Sequence, residues 1–594
     1  MPVLDNMKIK YRKLDKVIII GSGIAGLMAA IEVKKQGIEP IVFTKGKAGR
    51  DGSSIMSEAD LALDSKHSNE IFDLEGNLKD SPEQFYVDMI KGGMYLNNQK
   101  LVEKHVNLAS KYINHLKKLG LEVNTLIKTG GHKYPRGLWT SGEKVVNLLK
   151  KEVKKNNIKI IDNSLLIDLI KVEDEINGAL ILSLNTGQVT FYQTKAVILA
   201  TGGASNLFAQ NTNSPFTTGD GIAAAYRANA ELLDMEFPMF LPFTVLKPDL
   251  LKGMVFPYDL IINLNAYMLN KRGERYIKDW APNKMENTTR DINSIAAEIE
   301  IKNGNGSPNG GVYMSFKHLP NNIINESANW LPDSIKNWKY GGLKYKDLIV
   351  DLTKDALEVK PGCHFWNGGI KINLDSSTKI NGLYACGEGT GGIHGSNRIS
   401  GNALTQALVW GGEAGKNSAI YYKNLNEKTY QNKKIKDKLE KVKRKVFNPI
   451  LNKNGYSPIK LRVDLHNIAE SYLRPVRNKR ELDKAEELYN KLEEKINNQA
   501  VQNNRKIFNK EWQLAIENYN LLLIMKTIIK SAKLRKESRG AHYREDYTNI
   551  DNKNWLKNII IYQNNENKMD FKIKDVVIND IKPPDKIIPY GEDK

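Results

Sequence analysis

The chain has 594 residues, 41% of them hydrophobic and 26% charged; the length calls for roughly two to four domains and the composition excludes a disordered or fibrous chain. Its formal charge of +20 comes from lysines scattered among Asn and Ile rather than gathered on one aromatic-bearing helix, which favours an acidic redox partner over nucleic acid. Two cysteines, Cys363 and Cys386, exclude a disulfide framework or an iron–sulfur cluster held by this chain alone, and no apolar run nears the ~18 residues of a membrane span.

In chain order, MPVLDNMKIKYRKLDKVIII runs straight into a Gly-rich motif. It reads as a first strand and not a signal peptide, so a reducing, cytoplasmic setting is expected. KVIIIGSGIAGLMAAIEVKKQG then gives a buried strand, the spacing Gly21, Gly23, Gly26, and a helix. Gly21 permits the tight turn, Gly23 lets the backbone approach a pyrophosphate, and Gly26 lets helix and strand pack closely. The helix N-terminus offers free N–H groups and partial positive charge to phosphates. The second strand, EPIVFTKG, ends in Thr44 and Lys45. A nicotinamide dinucleotide site wants Asp or Glu there for the ribose, so that cofactor is disfavoured.

From Asn157 to Gln193 short alternating strands suggest an antiparallel insert. TKAVILATGGASNLF is another buried strand, closing on Thr201, Gly202 and Gly203, and Asp220 opens a small-residue helix. INGLYACGEGTGG repeats the pattern with Gly387 and Glu388. Three strand-to-glycine turns far apart in sequence suit one large cofactor crossing the C-terminal edge of a parallel sheet. Beyond Glu427, KAEELYNKLEEKINNQA and EWQLAIENYNLLLIMKTIIKSAKLRKES read as long amphipathic helices. The final FKIKDVVINDIKPPDKIIPYGEDK reads as a strand or two and a frayed tail.

With these pieces the chain resembles the flavoprotein subunits of the succinate dehydrogenase and fumarate reductase family, which includes L-aspartate oxidase and the adenylylsulfate reductase α subunit. The segments GSGIAG, ATGG, TTGDGIAAAYRA, NKRGERYIKDWAP, TRDINSIAAEIEI, CHFWNGGIKIN, GLYACGEGTGGIHGSNRISGN and RKESRGAHYREDY carry the likeness from residue 16 to about 547. The resemblance implies an α/β fold: a Rossmann-like FAD-binding domain (1–236 and 357–425), an inserted α+β capping domain (237–356), a helical domain (426–540) and a C-terminal segment (541–594). It implies FAD contacts at Gly21, Gly23, Ala25, Gly26, Thr44, Lys45, Ser53, Thr201, Gly202, Gly203, Asp220, Glu388, Arg398, Gly401, Asn402, Ala403 and Leu404. It also implies hydride transfer between flavin and a carbon of a carboxylate substrate, with electrons from an iron–sulfur or other redox partner protein, through which the chain could lie at a membrane. No metal site is implied.

For chemistry, the resemblance makes Arg398 the clamp on a substrate carboxylate, His364 a second donor to it, and Arg290 the acid that protonates the substrate carbon. Each has a plainer reading. Arg290 beside Asp291 suits a helix start with an ion pair, His364 a core histidine, and His394 either positions its loop or flavin or touches substrate. His542 is carried over to the flavin carbonyl edge, and Cys386 reads as packing only.

Three departures matter. KAGRDGSSIMSEADL lacks the histidine that covalent members use, so FAD is expected to be non-covalent. Leu241 in EFPMFLPF replaces a histidine that helps hold a second carboxylate, and Phe243 follows it. The Thr-Glu-Gly and Arg of the family's proton relay are missing from TVLKPDLLKGMVFPYDLIINLNAYML, leaving Asp249, Tyr258 and Asp259 as candidate replacements. A second anionic end would be left unpaired at a cost of several kcal/mol. The expected substrate is therefore an α,β-unsaturated carboxylate with a neutral or apolar far end. L-Aspartate oxidation, adenylylsulfate reduction and a flavin electron carrier without turnover are the alternatives.

Overall fold

Val17–Ile20 is apolar at every position and buried, as a strand covered on both faces should be. In the computed structural model it is the middle strand of a five-stranded parallel sheet. The order is Leu383–Ala385, Val197–Leu199, Val17–Ile20, Pro40–Phe43, Lys159–Ile161. The structure describes residues 7–591 apart from 58–59, 248, 250–251, 256–264, 328–338, 341–342, 345–352 and 426–429. Helices Ile24–Lys35 and Asn402–Asn424 lie against each other beside this sheet. A Cβ on Gly411 would stand 2.4 Å from the Ala25 carbonyl oxygen, and one on Gly415 2.3 Å from that of Ala29. The two helices therefore meet backbone to backbone, which any larger residue would prevent.

The antiparallel insert is present as Ser164–Val172, Glu175–Ser183 and Val189–Gln193. Lys159–Ile161, counted with it from the sequence, instead closes the parallel sheet. Ahead of Val17, the exposed strand Lys10–Lys13 pairs with Val189–Gln193.

The cap has its own four-stranded antiparallel sheet, ordered Pro238–Lys247, Leu357–Trp366, Val312–Ser315, Tyr267–Leu269. Helix Arg290–Lys302 packs on it around Phe243, Val245, Ile292 and Val359. Two sequence expectations change here. Leu357–Trp366, assigned to the second part of the FAD-binding domain, belongs to the cap sheet, because a strand's own residues do not name its partner. Phe243 packs inside this core and does not face the cavity described below.

Helices Asn432–Leu451, Pro458–Tyr472, Lys479–Asn497 and Lys510–Leu534 form the helical domain. Trp512 is buried among them and its Nε1 donates to the Val446 carbonyl at 2.8 Å. Among the described residues no helix is long and apolar enough to cross a membrane.

The strands expected in the C-terminal segment are present, and its described residues are held by pairing rather than frayed. Lys557–Gln563 and Met569–Asp575 extend a sheet that continues through Leu232–Leu233 and Gly369–Lys371. Ile587–Pro589 pairs with Asn549–Asp551. Beyond it the Tyr590 hydroxyl donates to Asp291 Oδ2 at 2.9 Å and to the Gly540 carbonyl at 2.7 Å. Charged residues on the exposed edge strand gave this stretch the composition of a tail.

Candidate active site

The parallel strands end at one edge, and their turns border a cavity of about 490 Å³. From the sheet side come Gly21 to Gly23, Asp51 to Ser54, Thr201 and Gly202, Gly387 and Glu388, and the loop from Arg398 to Leu404. From the cap come Leu241, Gly253 to Val255, Arg290 and His364. Parts of the chain far apart in sequence thus share one hollow, at the carboxyl edge where α/β sheets bind ligands.

The sheet half suits a dinucleotide. Gly21 has φ +112°, and a Cβ there would lie 2.1 Å from the Ala200 carbonyl oxygen. Helix Ile24–Lys35 starts at Gly23 with no side chain of its own capping residue on its first amides. Ser54 Oγ accepts from the Ile24 amide at 3.3 Å, and the rest of that turn is available to an anion. The acid missing from the end of the second strand arrives from elsewhere: Asp220 Oδ2 lies 2.6 Å from Lys45 Nζ, across 175 residues. Lys45 also bridges to Glu517 Oε1 at 3.0 Å. Burial works against the Lys45 charge, but Asp220 and Glu517 outweigh it and hold its pKa up. Glu388 is pushed up to about 7 by burial, against the Gly203 amide, the Arg398 charge and the Trp366 amide that favour its ionised form. Open helix amides for phosphate and buried carboxylates for hydroxyl groups fit FAD.

Where the Arg398 loop meets the cap, the cavity suits a carboxylate. Arg398 is buried, its guanidinium stacks 4.7 Å from the Phe365 ring centroid, and Nη1 donates to the Ile399 carbonyl at 3.2 Å. Its Nε is buried without a hydrogen-bond partner. Burial, reinforced by Arg290, lowers its pKa to about 9, while Asp60 and Glu388 act in the other direction. His364 Nδ1 lies 2.7 Å from Thr212 Oγ1. Burial first, then the Arg398 and Arg290 charges, keep its imidazole neutral. A Thr212 hydroxyl donating to Nδ1 leaves Nε2 as the N–H donor. Arg290 opens its helix and donates from Nη2 to Ser400 Oγ at 2.9 Å.

Of the residues singled out in sequence, Gly21, Gly23, Ala25, Thr44, Lys45, Ser53, Thr201, Gly202, Asp220, Arg290, His364, Glu388, Arg398, Gly401, Ala403 and Leu404 line the cavity. Three do not. Gly26 packs against the Gly21 carbonyl, and Gly203 lies where a Cβ would be 2.6 Å from Glu388 Oε1. Asn402 turns away, with Nδ2 donating to the Ser400 carbonyl at 3.0 Å and Oδ1 3.3 Å from His105 Nε2. His394 braces the loop through Gln406 Oε1 at 3.0 Å. His542 is also off the cavity: its Nδ1 takes a 2.7 Å hydrogen bond from Arg477 Nη1, and its ring stands edge-on to Phe237. Asp249 pairs with Lys247 at 2.7 Å in solvent and does not reach the cavity. Tyr258 and Asp259 lie outside the described residues. Cys386 does border the cavity, with burial raising its thiol to about 12.

Sequence reasoning missed Asp60, Thr212, Met254 and Val255, all of which line the cavity. Asp60 sits in the stretch read only for its absent histidine. Burial raises its pKa, against the charges of Arg290 and Arg398.

Comparison with known proteins adds the following. Residues 16–404 match the FAD binding domain family, and residues 462–588 match the family described as fumarate reductase flavoprotein C-term. An uncharacterized FAD-dependent oxidoreductase of Methanocaldococcus jannaschii is 34% identical, covering 92% of this chain and 96% of the relative. One subunit of the fumarate reductase (CoM/CoB) of Methanothermobacter marburgensis is 30% identical over the same shares. Among solved structures, the Mycobacterium smegmatis Sdh1 complex in the apo form aligns with TM-score 0.83 and 29% identity, over 96% of this chain and 95% of that one.

Proposed function

The chain belongs to the FAD-dependent flavoprotein family of fumarate reductases and succinate dehydrogenases, and we propose that it is the catalytic subunit of a reductase acting on α,β-unsaturated carboxylates. It is an FAD-dependent oxidoreductase. The observation that carries the substrate reading is Arg398, a buried guanidinium with an unpartnered Nε beside a neutral histidine. A buried guanidinium N–H without an acceptor is costly, and a planar carboxylate offsets that cost through paired charge-assisted hydrogen bonds.

Bound FAD supplies hydride chemistry at the reacting carbon. Gly21, Gly23, Lys45, Asp220 and Glu388 would hold it. Arg398 and the Nε2–H of His364 bind one carboxylate and orient the double bond. Arg290 holds a proton on its guanidinium and delivers it to the other alkene carbon. Leu241, Met254 and Val255 receive the rest of the substrate and exclude water. An uncharged far end suits them, because they offer no donor side chain to a second carboxylate. FAD is held non-covalently, since residues 46–60 contain no histidine. Electrons come from a separate iron–sulfur or flavin protein, as two buried cysteines cannot hold a cluster.

Fumarate itself is the second reading, favoured by the relative named a fumarate reductase. A panel of fumarate, crotonate and longer 2-enoates, with reduced methyl viologen and flavin-replete protein, tests both. Faster dye oxidation with crotonate than with fumarate is expected. Turnover of fumarate alone selects the second reading, and no turnover with any enoate removes both.

A further inference from the structure

An arginine that gives up a proton must regain one before the next turnover, and its own high pKa does not say from where. Asp60 lies in the right place. It is 3% exposed, lines the cavity, and its Oδ2 has no hydrogen-bond partner. It stands just ahead of strand Leu61–Ala62, and the Ala62 amide donates to the Gly401 carbonyl at 3.3 Å. Gly401 is where the two meet: its φ is +72°, and a Cβ there would be 2.6 Å from Asp60 Oδ2. The preceding residue is Ser400, whose hydroxyl takes the hydrogen bond from Arg290. The unpartnered carboxylate oxygen therefore abuts the loop that positions Arg290.

Resting on the acid role of Arg290 proposed above, we propose that Asp60 returns the proton to Arg290 between turnovers. The Asp60 O–H bond breaks and an N–H bond forms on the neutral guanidine, leaving aspartate and guanidinium. Asp60 then takes a proton from water entering the cavity after product leaves. No electrons move in this step.

Burial favours the protonated carboxyl, while the charges acting on it are those of Arg290 and Arg398. Other carboxylates are worse placed. Glu388 is held by backbone amides, and the charge acting on it is that of Arg398. Asp249 is ion-paired in solvent, where its pKa is lowered by hydrogen bonding to Lys247.

The test compares wild type with D60N, D60G and R290Q, using dithionite-reduced holoenzyme and the enoate of the panel that wild type reduces fastest. In D60N the first flavin reoxidation should stay within about threefold of wild type, while steady-state turnover falls ~100-fold or more, the usual scale of lost acid–base catalysis. Added formate or acetate should restore part of the D60G steady state. Infrared titration of the oxidised holoenzyme should show a carboxylic acid band, absent from D60N, that persists above the ordinary aspartate pKa of about 3.9. A D60N steady state near wild type, loss of its first turnover, or an Asp60 titration at or below that ordinary value overturns the proposal. A normal first turnover in R290Q instead overturns the acid role of Arg290 on which it rests.

Discussion

Arg290 Nη2 donates to Ser400 Oγ at 2.9 Å, joining the first residue of the cap helix to the loop that carries Arg398. The proposed proton donor and the proposed carboxylate clamp are thus linked through Ser400. A hydrogen bond from a charged donor contributes about 1.5–3 kcal/mol, ample to fix a long side chain in one rotamer. The S400A variant should lose roughly 10-fold or more in kcat, with KM and flavin content little changed. Steady-state kinetics beside flavin absorbance checks this.

Arg398 is a site where lysine is no substitute, because an ammonium lacks the planar fork and the stacking on Phe365. R398K should lose about 100-fold in kcat/KM on the preferred enoate, a factor equivalent to about 2.7 kcal/mol. Its flavin content and melting temperature should stay near wild type.

Leu241 lines the cavity, and on the proposed reading it sets the charge tolerated at the far end of the substrate. L241H should raise the ratio of fumarate to crotonate turnover by about 10-fold, most clearly below pH 6.5, where an ordinary imidazole is charged. An unchanged ratio across pH would show that this side chain does not meet the substrate.

Lys45 holds together three elements through Asp220 and Glu517. Burial alone would raise the Glu517 pKa, but Lys45, then Arg462 and Lys510, bring it down to about 2. A depressed carboxylate contributes stability that is present above its unfolded pKa and lost as pH falls through the folded one. Wild-type melting temperature should therefore drop between about pH 4.5 and 2. K45M, by leaving Asp220 without its cation while Glu517 keeps Arg462 at 3.2 Å, should cost about 3–5 kcal/mol at neutral pH and flatten part of that acid limb. Thermal melts of the apoprotein across pH report both.

The absence of histidine from residues 46–60 has a visible consequence. Acid precipitation of the yellow protein should leave the flavin in the supernatant. Colour retained in a denatured, washed pellet would mean a covalent bond at another side chain.

What could be read from the sequence divides along physical lines. Gly21, Gly23 and the turns at Thr201 and Gly387 were legible because a phosphate-binding turn constrains its residues locally. Arg398 was legible through its loop. Asp220 was identified as a helix opener and cofactor contact, yet its place as the acid beside Lys45 depends on a contact across 175 residues. Asp60 had no local signal at all: an aspartate before a short strand is unremarkable until Arg290 is folded against it. Leu357–Trp366 went to the wrong domain for a related reason. Its burial marks it as a strand, while its pairing with Pro238–Lys247 is a fact of topology.

The hydroxyl of Tyr590 on Asp291 ties the end of the chain to the residue after Arg290. The contact spans 299 residues, so strand Ile587–Pro589 and the start of the arginine helix are set together only after the chain between them has folded. A chain clipped between Asn552 and Tyr590 would lose this brace while keeping every residue that borders the cavity, and it would take up flavin's colour with its arginine helix unsupported.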